Sequence, residues 1–163
     1  MKITLLTVGK TDFKWLIEGR DIYLSRLSHY VKFGLSELAE LRNVSSLSRD
    51  EIKIREGEMI LRNVRPDDRL ILLDERGKEY RSVEFASMLE AHISRGGGDI
   101  VFVIGGAYGF SDAVYRRCDA MISLSKMTFS HQMVRVIFLE QLYRAFTIMR
   151  GEPYHHEGRR CAT

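Results

Sequence analysis

Ile100-Val101-Phe102-Val103-Ile104-Gly105-Gly106-Ala107-Tyr108-Gly109-Phe110 is the stretch on which the fold turns: the most strongly apolar β run of the chain feeds directly into a glycine-rich loop. Working outward, Ser111 caps a short helix through Arg117, Met121 to Leu124 reads as the last strand, and Met133 to Met149 as a long helix. Upstream, Val83 to Ile93 places Phe85, Ala86, Leu89 and Ile93 on one helical face, with Ser82 as cap and Gly96-Gly97-Gly98 as stop. Before it, Leu70-Ile71-Leu72-Leu73-Asp74 is a short apolar run with an acidic end, suited to a central parallel strand, and Glu75-Arg76-Gly77-Lys78 is expected to turn the chain back out. Ser48 and Glu51 form a Ser-x-x-Glu capping box for a helix that stops before Pro66. Residues 33–41 alternate as a second strand, about Thr11 to Tyr30 repeats its apolar residues at helical spacing with Thr11 or Asp12 available as cap, and residues 2–8 form a first strand buried on both faces. Strand and helix alternate throughout, so the expected class is α/β with a mainly parallel sheet flanked by helices.

The chain has 163 residues, the size of one domain, with residues 151–163 read as a basic C-terminal tail. Hydrophobic residues at 45% and charged residues at 29% suffice for a real core and exclude a wholly disordered chain. Cys118 and Cys161 are too few for a disulfide framework and lack the spacing of a zinc site, which fits a reduced cytoplasm. No stretch reaches the ~18 apolar residues of a membrane span, so a soluble protein is expected. The net charge of +3 hides an asymmetry. Residues 1–112 carry 17 Lys and Arg against 18 Asp and Glu, whereas residues 113–163 carry 8 against 4, so a polyanion is drawn to the C-terminal end.

Ligands of open parallel sheets lie beyond the carboxyl ends of the strands. Three loops qualify, following Leu73, Ile104 and Leu124. The middle one reads G-G-x-x-G rather than G-x-G-x-x-G and comes late in the chain, which disfavours a dinucleotide site; it is either a tight turn or a place where backbone approaches a flat ligand. Gly9-Lys10-Thr11 lacks the spacing of a phosphate-binding P-loop. In Ser123-Leu124-Ser125-Lys126-Met127-Thr128-Phe129-Ser130-His131, hydroxyl groups and a histidine crowd a loop between a buried strand and a buried helix, although His131 also suits a plain helix start.

Helix 133–149 is apolar on nearly every side, and as the last regular element it needs more cover than one small sheet provides; a second subunit, in a homodimer, would supply it, the alternative being that it is the central helix of a monomeric core. Arg144 follows Glu140 by one turn, as an i,i+4 ion pair would. Beyond the helix, Gly151-Glu152-Pro153-Tyr154-His155-His156-Glu157 is polar, aromatic and titratable. Its adjacent histidines point apart in an extended tail and lack a spaced partner, so no metal is expected.

The ordered segments LLDERGKEY, VFVIGGAYGF, SLSKMTFSHQMVRVIFLEQLYRA and PYHHE, spread over essentially the whole chain, resemble the bacterial large-subunit (23S) ribosomal RNA pseudouridine-N3 methyltransferases, small enzymes of the SPOUT superfamily. The ending departs from the PYHRE-like form of that family at His156 and continues as GRRCAT. The resemblance implies a C-terminal deep trefoil knot and S-adenosylmethionine as methyl donor. It carries donor contacts onto Leu73, Gly106, Ser125, Lys126, Met127, Thr128, Phe129 and Ser130, with Gly105 as close support. It carries acceptor binding or proton handling onto His131, Arg144, Tyr154 and His155 as a group. It also implies ribosomal RNA of the large subunit as substrate, with one subunit's knot and the other's tail forming a composite site. Lys126, Arg135, Arg144, Arg150, Arg159 and Arg160 are then the candidate phosphate contacts, and Tyr154 a base-stacking residue. Two alternatives stay open: a SPOUT methyltransferase acting on transfer RNA, and a non-catalytic RNA-binding or ribosome-associated module.

Overall fold

The computed structural model describes residues 1–156; Arg159, Arg160 and Cys161 lie outside the described residues. In chain order the elements are β1 (Lys2–Val8), α1 (Lys14–Leu27), β2 (Lys32–Leu38), α2 (Arg49–Arg62), β3 (Arg69–Glu79), α3 (Ser82–Ser94), β4 (Ile100–Ile104), α4 (Asp112–Arg117), β5 (Ala120–Ser123) and α5 (Met133–Met149). The strands form one parallel sheet in the order β2-β1-β4-β3-β5. Both faces are covered, as the unbroken apolar runs require. Ile3, Leu5, Ile71, Ile100, Phe102 and Ile104 point to the side of Leu27, Phe85, Leu89, Phe138 and Leu142, contributed by α1, α3 and α5. Leu6, Val8, Leu70, Leu72, Val101 and Val103 face Ile60 of α2 and Val114 of α4.

Several expectations are corrected. Helix α1 starts at Lys14, and Phe13 holds the cap position without a side-chain bond. Thr11 is occupied elsewhere, with both its amide and hydroxyl donating to Glu37. Helix α3 is capped from Arg81, whose amide donates to Glu84, while the Ser82 hydroxyl donates to Gln141 at 2.9 Å. The third correction concerns β3, which does not turn out at Glu75 but resumes pairing through Lys78 and Glu79 with Ile122 and Ser123 after an irregularity. Gly77 permits this, because a Cβ there would stand 2.6 Å from the backbone nitrogen of Ile122. The capping box of α2 forms as expected, with Ser48 and Glu51 each bonding the other's amide. Strand β2 ends at Leu38, short of the expected residue 41.

Helix α5 spans the residues expected, but its apolar circumference is covered differently. It lies between α1 and α3 on the sheet, with Phe138 against Phe102 at 4.8 Å between ring centroids and Val136 close to Gly19 of α1. The last element of the chain is therefore the central helix of its layer. Phe138, Leu139, Leu142, Ala145 and Phe146 are buried within the chain, while Val136 and Ile137 stay half-buried and Met133 is exposed.

Candidate active site

Strands β4, β3 and β5 are adjacent, and the loops after β4 and β5, with the irregular stretch of β3 that follows Leu73, line a cleft of about 800 Å³. The expected loop after Leu73 is not formed, because β3 runs on to Glu79. Leu73, Ile104, Phe110, Ile122, Leu124 and Val134 provide apolar walls, and the Gly105–Gly109 backbone provides one side. Of the expected donor contacts, Leu73, Gly105, Gly106, Ser125, Met127, Thr128, Phe129 and Ser130 all line the cleft, and His131 lies at its edge. Lys126 is exposed and does not line it.

The hydroxyl groups of the last loop shape the loop itself. Ser123 donates to the Ser125 carbonyl at 2.8 Å, and the Ser125 hydroxyl accepts from the Met127 amide at 2.9 Å. Thr128 donates to Glu75 at 3.0 Å, pinning this loop to β3. The Ser130 hydroxyl accepts from the Met133 amide at 3.0 Å and so caps α5. Across the cleft, Asp74 accepts from the Tyr115 hydroxyl and, at 2.9 Å, from the Arg76 amide. Burial pushes the Asp74 carboxyl up, but these bonds and the Arg76 guanidinium outweigh it and hold the group below its usual range.

Gly106 has a reason for being glycine that the sequence did not reveal. A Cβ there would lie 2.3 Å from Oε2 of Glu56, a buried residue of α2 directly behind the loop. Neither Glu56 nor Arg135 was marked by its own motif as part of the site. Arg135, expected to face phosphates, is 1% exposed. Its guanidinium donates to the carbonyls of Val8 and Gly9 at 2.9 Å each, to that of His131 at 3.0 Å, to the Thr11 hydroxyl at 3.2 Å and to Glu37 at 3.3 Å. One buried cation thus ties the end of β1 to the main chain of His131. The available signal was an arginine within the apolar α5 run, a position that asks for buried acceptors.

Arg144, Tyr154 and His155 form a second group. Arg144 pairs with Glu140, stands 3.2 Å from Nδ1 of His155 and lies over the Tyr154 ring at 4.8 Å. The Tyr154 hydroxyl donates to Glu140 at 3.0 Å, and its ring packs edge-on against Tyr143. Burial and the bond to Glu140 push the Tyr154 hydroxyl up, so it remains a protonated donor. Tyr154 is thereby engaged within the chain rather than presented as a free stacking surface. His131 precedes α5, and from Met133 to Arg144 the helix advances eleven residues, about 16 Å at 1.5 Å per residue. The single chain therefore joins Arg144, Tyr154 and His155 but leaves His131 apart from them. Arg150 is exposed and lies over the Tyr30 ring at 4.4 Å. Among the described residues no group of three or more His, Cys, Asp and Glu is placed to hold a metal ion, and no helix is long and apolar enough to cross a membrane.

A parallel sheet whose last three strands open into one loop-walled cleft matches the SPOUT class, and the family model described as "Predicted SPOUT methyltransferase" matches residues 1–155. The chain belongs to that family. Among curated relatives, it is 54% identical over 157 residues to "Ribosomal RNA large subunit methyltransferase H" of Flavobacterium psychrophilum, a match covering 96% of this chain and 100% of the relative. It is 50% identical over 157 residues, with the same coverage, to the protein of that name in Parabacteroides distasonis. A solved structure of a probable methylase family protein from Haemophilus influenzae superposes with a TM-score of 0.50 at 15% identity, covering 96% of this chain and 70% of that one, a likeness of fold.

Proposed function

We propose that this chain methylates N3 of a pseudouridine in large-subunit ribosomal RNA, with S-adenosylmethionine as donor. The observation that carries this reading is the convergence of the irregular stretch of β3 after Leu73 and the loops after Ile104 and Leu124 on one apolar cleft. Its volume of about 800 Å³ and its apolar walls with main-chain polar groups suit an adenine-bearing ligand of drug-like size. The names of the relatives favour ribosomal over transfer RNA, and favour an enzyme over a binding module. Ribosomal RNA as substrate places the work in the cytoplasm.

When bound, the donor supplies an activated sulfonium methyl, so no metal is required. What remains for the protein is alignment, exclusion of water and removal of the N3 proton. Leu73, Ile104, Phe110 and Leu124 form the dry walls, the Gly105–Gly106 backbone offers polar groups at close range, and Thr128 on Glu75 closes the last loop. The acceptor site draws on His131 at the cleft edge and on Arg144, Tyr154 and His155, whose guanidinium stabilises an imide anion and whose imidazole accepts a proton.

Because His131 precedes α5 and Arg144 lies about 16 Å along it from Met133, this reading takes the active form to be a homodimer in which one chain's cleft meets the other's Arg144 group. Exposed Trp15 and Ile22 on α1 and Met133 on α5, at 57%, 52% and 43%, offer an apolar surface for the pairing. The single domain, the knot threading its C-terminal part, and residues 151–163 as a basic tail toward RNA belong to the same reading.

The test is transfer of labelled methyl to large ribosomal subunits from cells lacking this activity. Arg144→Ala is expected to lose turnover while keeping donor affinity, and Leu73→Glu to lose donor binding. A mixture of the two inactive variants, allowed to exchange subunits, is expected to regain activity through the one intact composite site. Label entering transfer RNA instead, or no recovery in the mixture, overturns the substrate or the composite site respectively.

A further inference from the structure

Glu56 is a buried side chain beside the cleft whose chemistry the reading above leaves unused. It is 7% exposed, and its Oε2 is buried without a hydrogen-bond partner. A buried polar atom in that condition calls for an explanation. Its place supplies one. The carboxyl lies directly behind Gly106, with both oxygens and Cδ within 3.0 Å of where a Cβ would be, so only the thickness of a glycine backbone separates it from the cleft.

Its charge is also uncompensated. Of the other carboxylates by the cleft, Asp74 is bonded to Tyr115 and Arg76, and Glu75 to Thr128. Around Glu56, the segment after β2 contributes Glu40, a like charge, and the β4–α4 loop contributes the Gly106 backbone. On α2 itself Lys53, one turn earlier, is drawn to Asp50 at 3.4 Å. Burial first, and Glu40 second, push the Glu56 carboxyl above its usual range.

We propose that Glu56 is a specificity-determining residue that favours the positively charged sulfonium donor over the uncharged thioether left after transfer. The inference rests on the reading that S-adenosylmethionine occupies this cleft. Donor and product differ by one methyl group and one positive charge. An apolar pocket discriminates a single methyl by only about 10- to 200-fold, whereas a carboxylate across a thin, dry wall senses the charge directly. A cation in the cleft is attracted by the Glu56 carboxylate; the neutral product loses that attraction, which favours product release.

Isothermal titration calorimetry of S-adenosylmethionine and S-adenosylhomocysteine tests this. In the parent protein the donor is expected to bind more tightly than the product. Glu56→Gln, of equal size and neutral, is expected to weaken donor binding about tenfold with product binding changed less than twofold. Glu56→Asp is expected to retain donor preference. An equal loss for both ligands or unchanged affinities overturns the role of Glu56 alone. Failure of the parent protein to bind either ligand overturns the donor reading as well. Urea unfolding of both variants verifies that they are folded; should Glu56→Gln not fold, the donor-to-product ratio of Glu56→Asp decides, and its loss despite a retained carboxylate refutes the proposal.

Discussion

Replacing Arg135 by methionine keeps much of its length and apolar stem while deleting the guanidinium. Five contacts vanish together: the carbonyls of Val8, Gly9 and His131, the Thr11 hydroxyl and the Glu37 carboxylate. Glu37 retains Thr11 and, at 3.2 Å, Arg20, so it is not stranded, but three buried carbonyls lose a donor that no water easily replaces. Breaking a buried charge pair from one side costs about 3–5 kcal/mol. At a urea m-value of about 2 kcal/mol/M, a loss of about 4 kcal/mol moves the unfolding midpoint down by about 2 M. Arg135→Lys keeps the charge but, with three donors from one nitrogen, does not span all five acceptors, and is expected to fall between parent and methionine variant. The measurement is equilibrium urea unfolding followed by circular dichroism. A loss below about 1 kcal/mol for Arg135→Met, the size of a surface pair, refutes the view that this guanidinium organises the junction of β1, β2 and α5.

Gly77→Ala sets a Cβ against the backbone of β5, which has no side chain to swing aside, and is expected to cost about 1–3 kcal/mol with increased amide exchange across Leu73–Ser123; wild-type stability would show that β3 and β5 are not held that closely. For Glu37, burial pushes the carboxyl up, but Thr11, Arg20 and Arg135 outweigh it and keep the folded pKa below the unfolded one. Such a group adds stability above its unfolded value, about 4.3, and loses it as pH falls through the folded value. Glu37→Gln is therefore expected to be less stable at neutral pH and to show a shallower acid limb in thermal unfolding between about pH 4.5 and 2; parallel limbs would contradict the pairing. Thr128→Val removes the bond to Glu75 that pins the last loop and is expected to weaken donor binding several-fold in calorimetry with unchanged global stability. Undiminished affinity would mean that the loop holds its shape without that tie.

The alternation of buried strand and helix, the limits of α5 and the capping box of α2 were legible in the sequence because each is set by neighbours within a turn or two. So were the loops after Ile104 and Leu124 and the place of Leu73 beside them, since carboxyl-end loops of a parallel sheet must gather wherever their strands lie side by side. The continuation of β3 past Glu75 was not legible, for it depends on Gly77 meeting a strand more than forty residues later. Nor was the cover of α5: an apolar helix asks to be buried but does not say by what, and α1 and α3 answered from within the chain. The partners of Arg135 and the buried carboxyl of Glu56 likewise come from segments far apart in the chain, brought together only when the helices close on the sheet. Periodicity records which face of an element turns inward; the identity of the group it meets there is a property of the assembled fold.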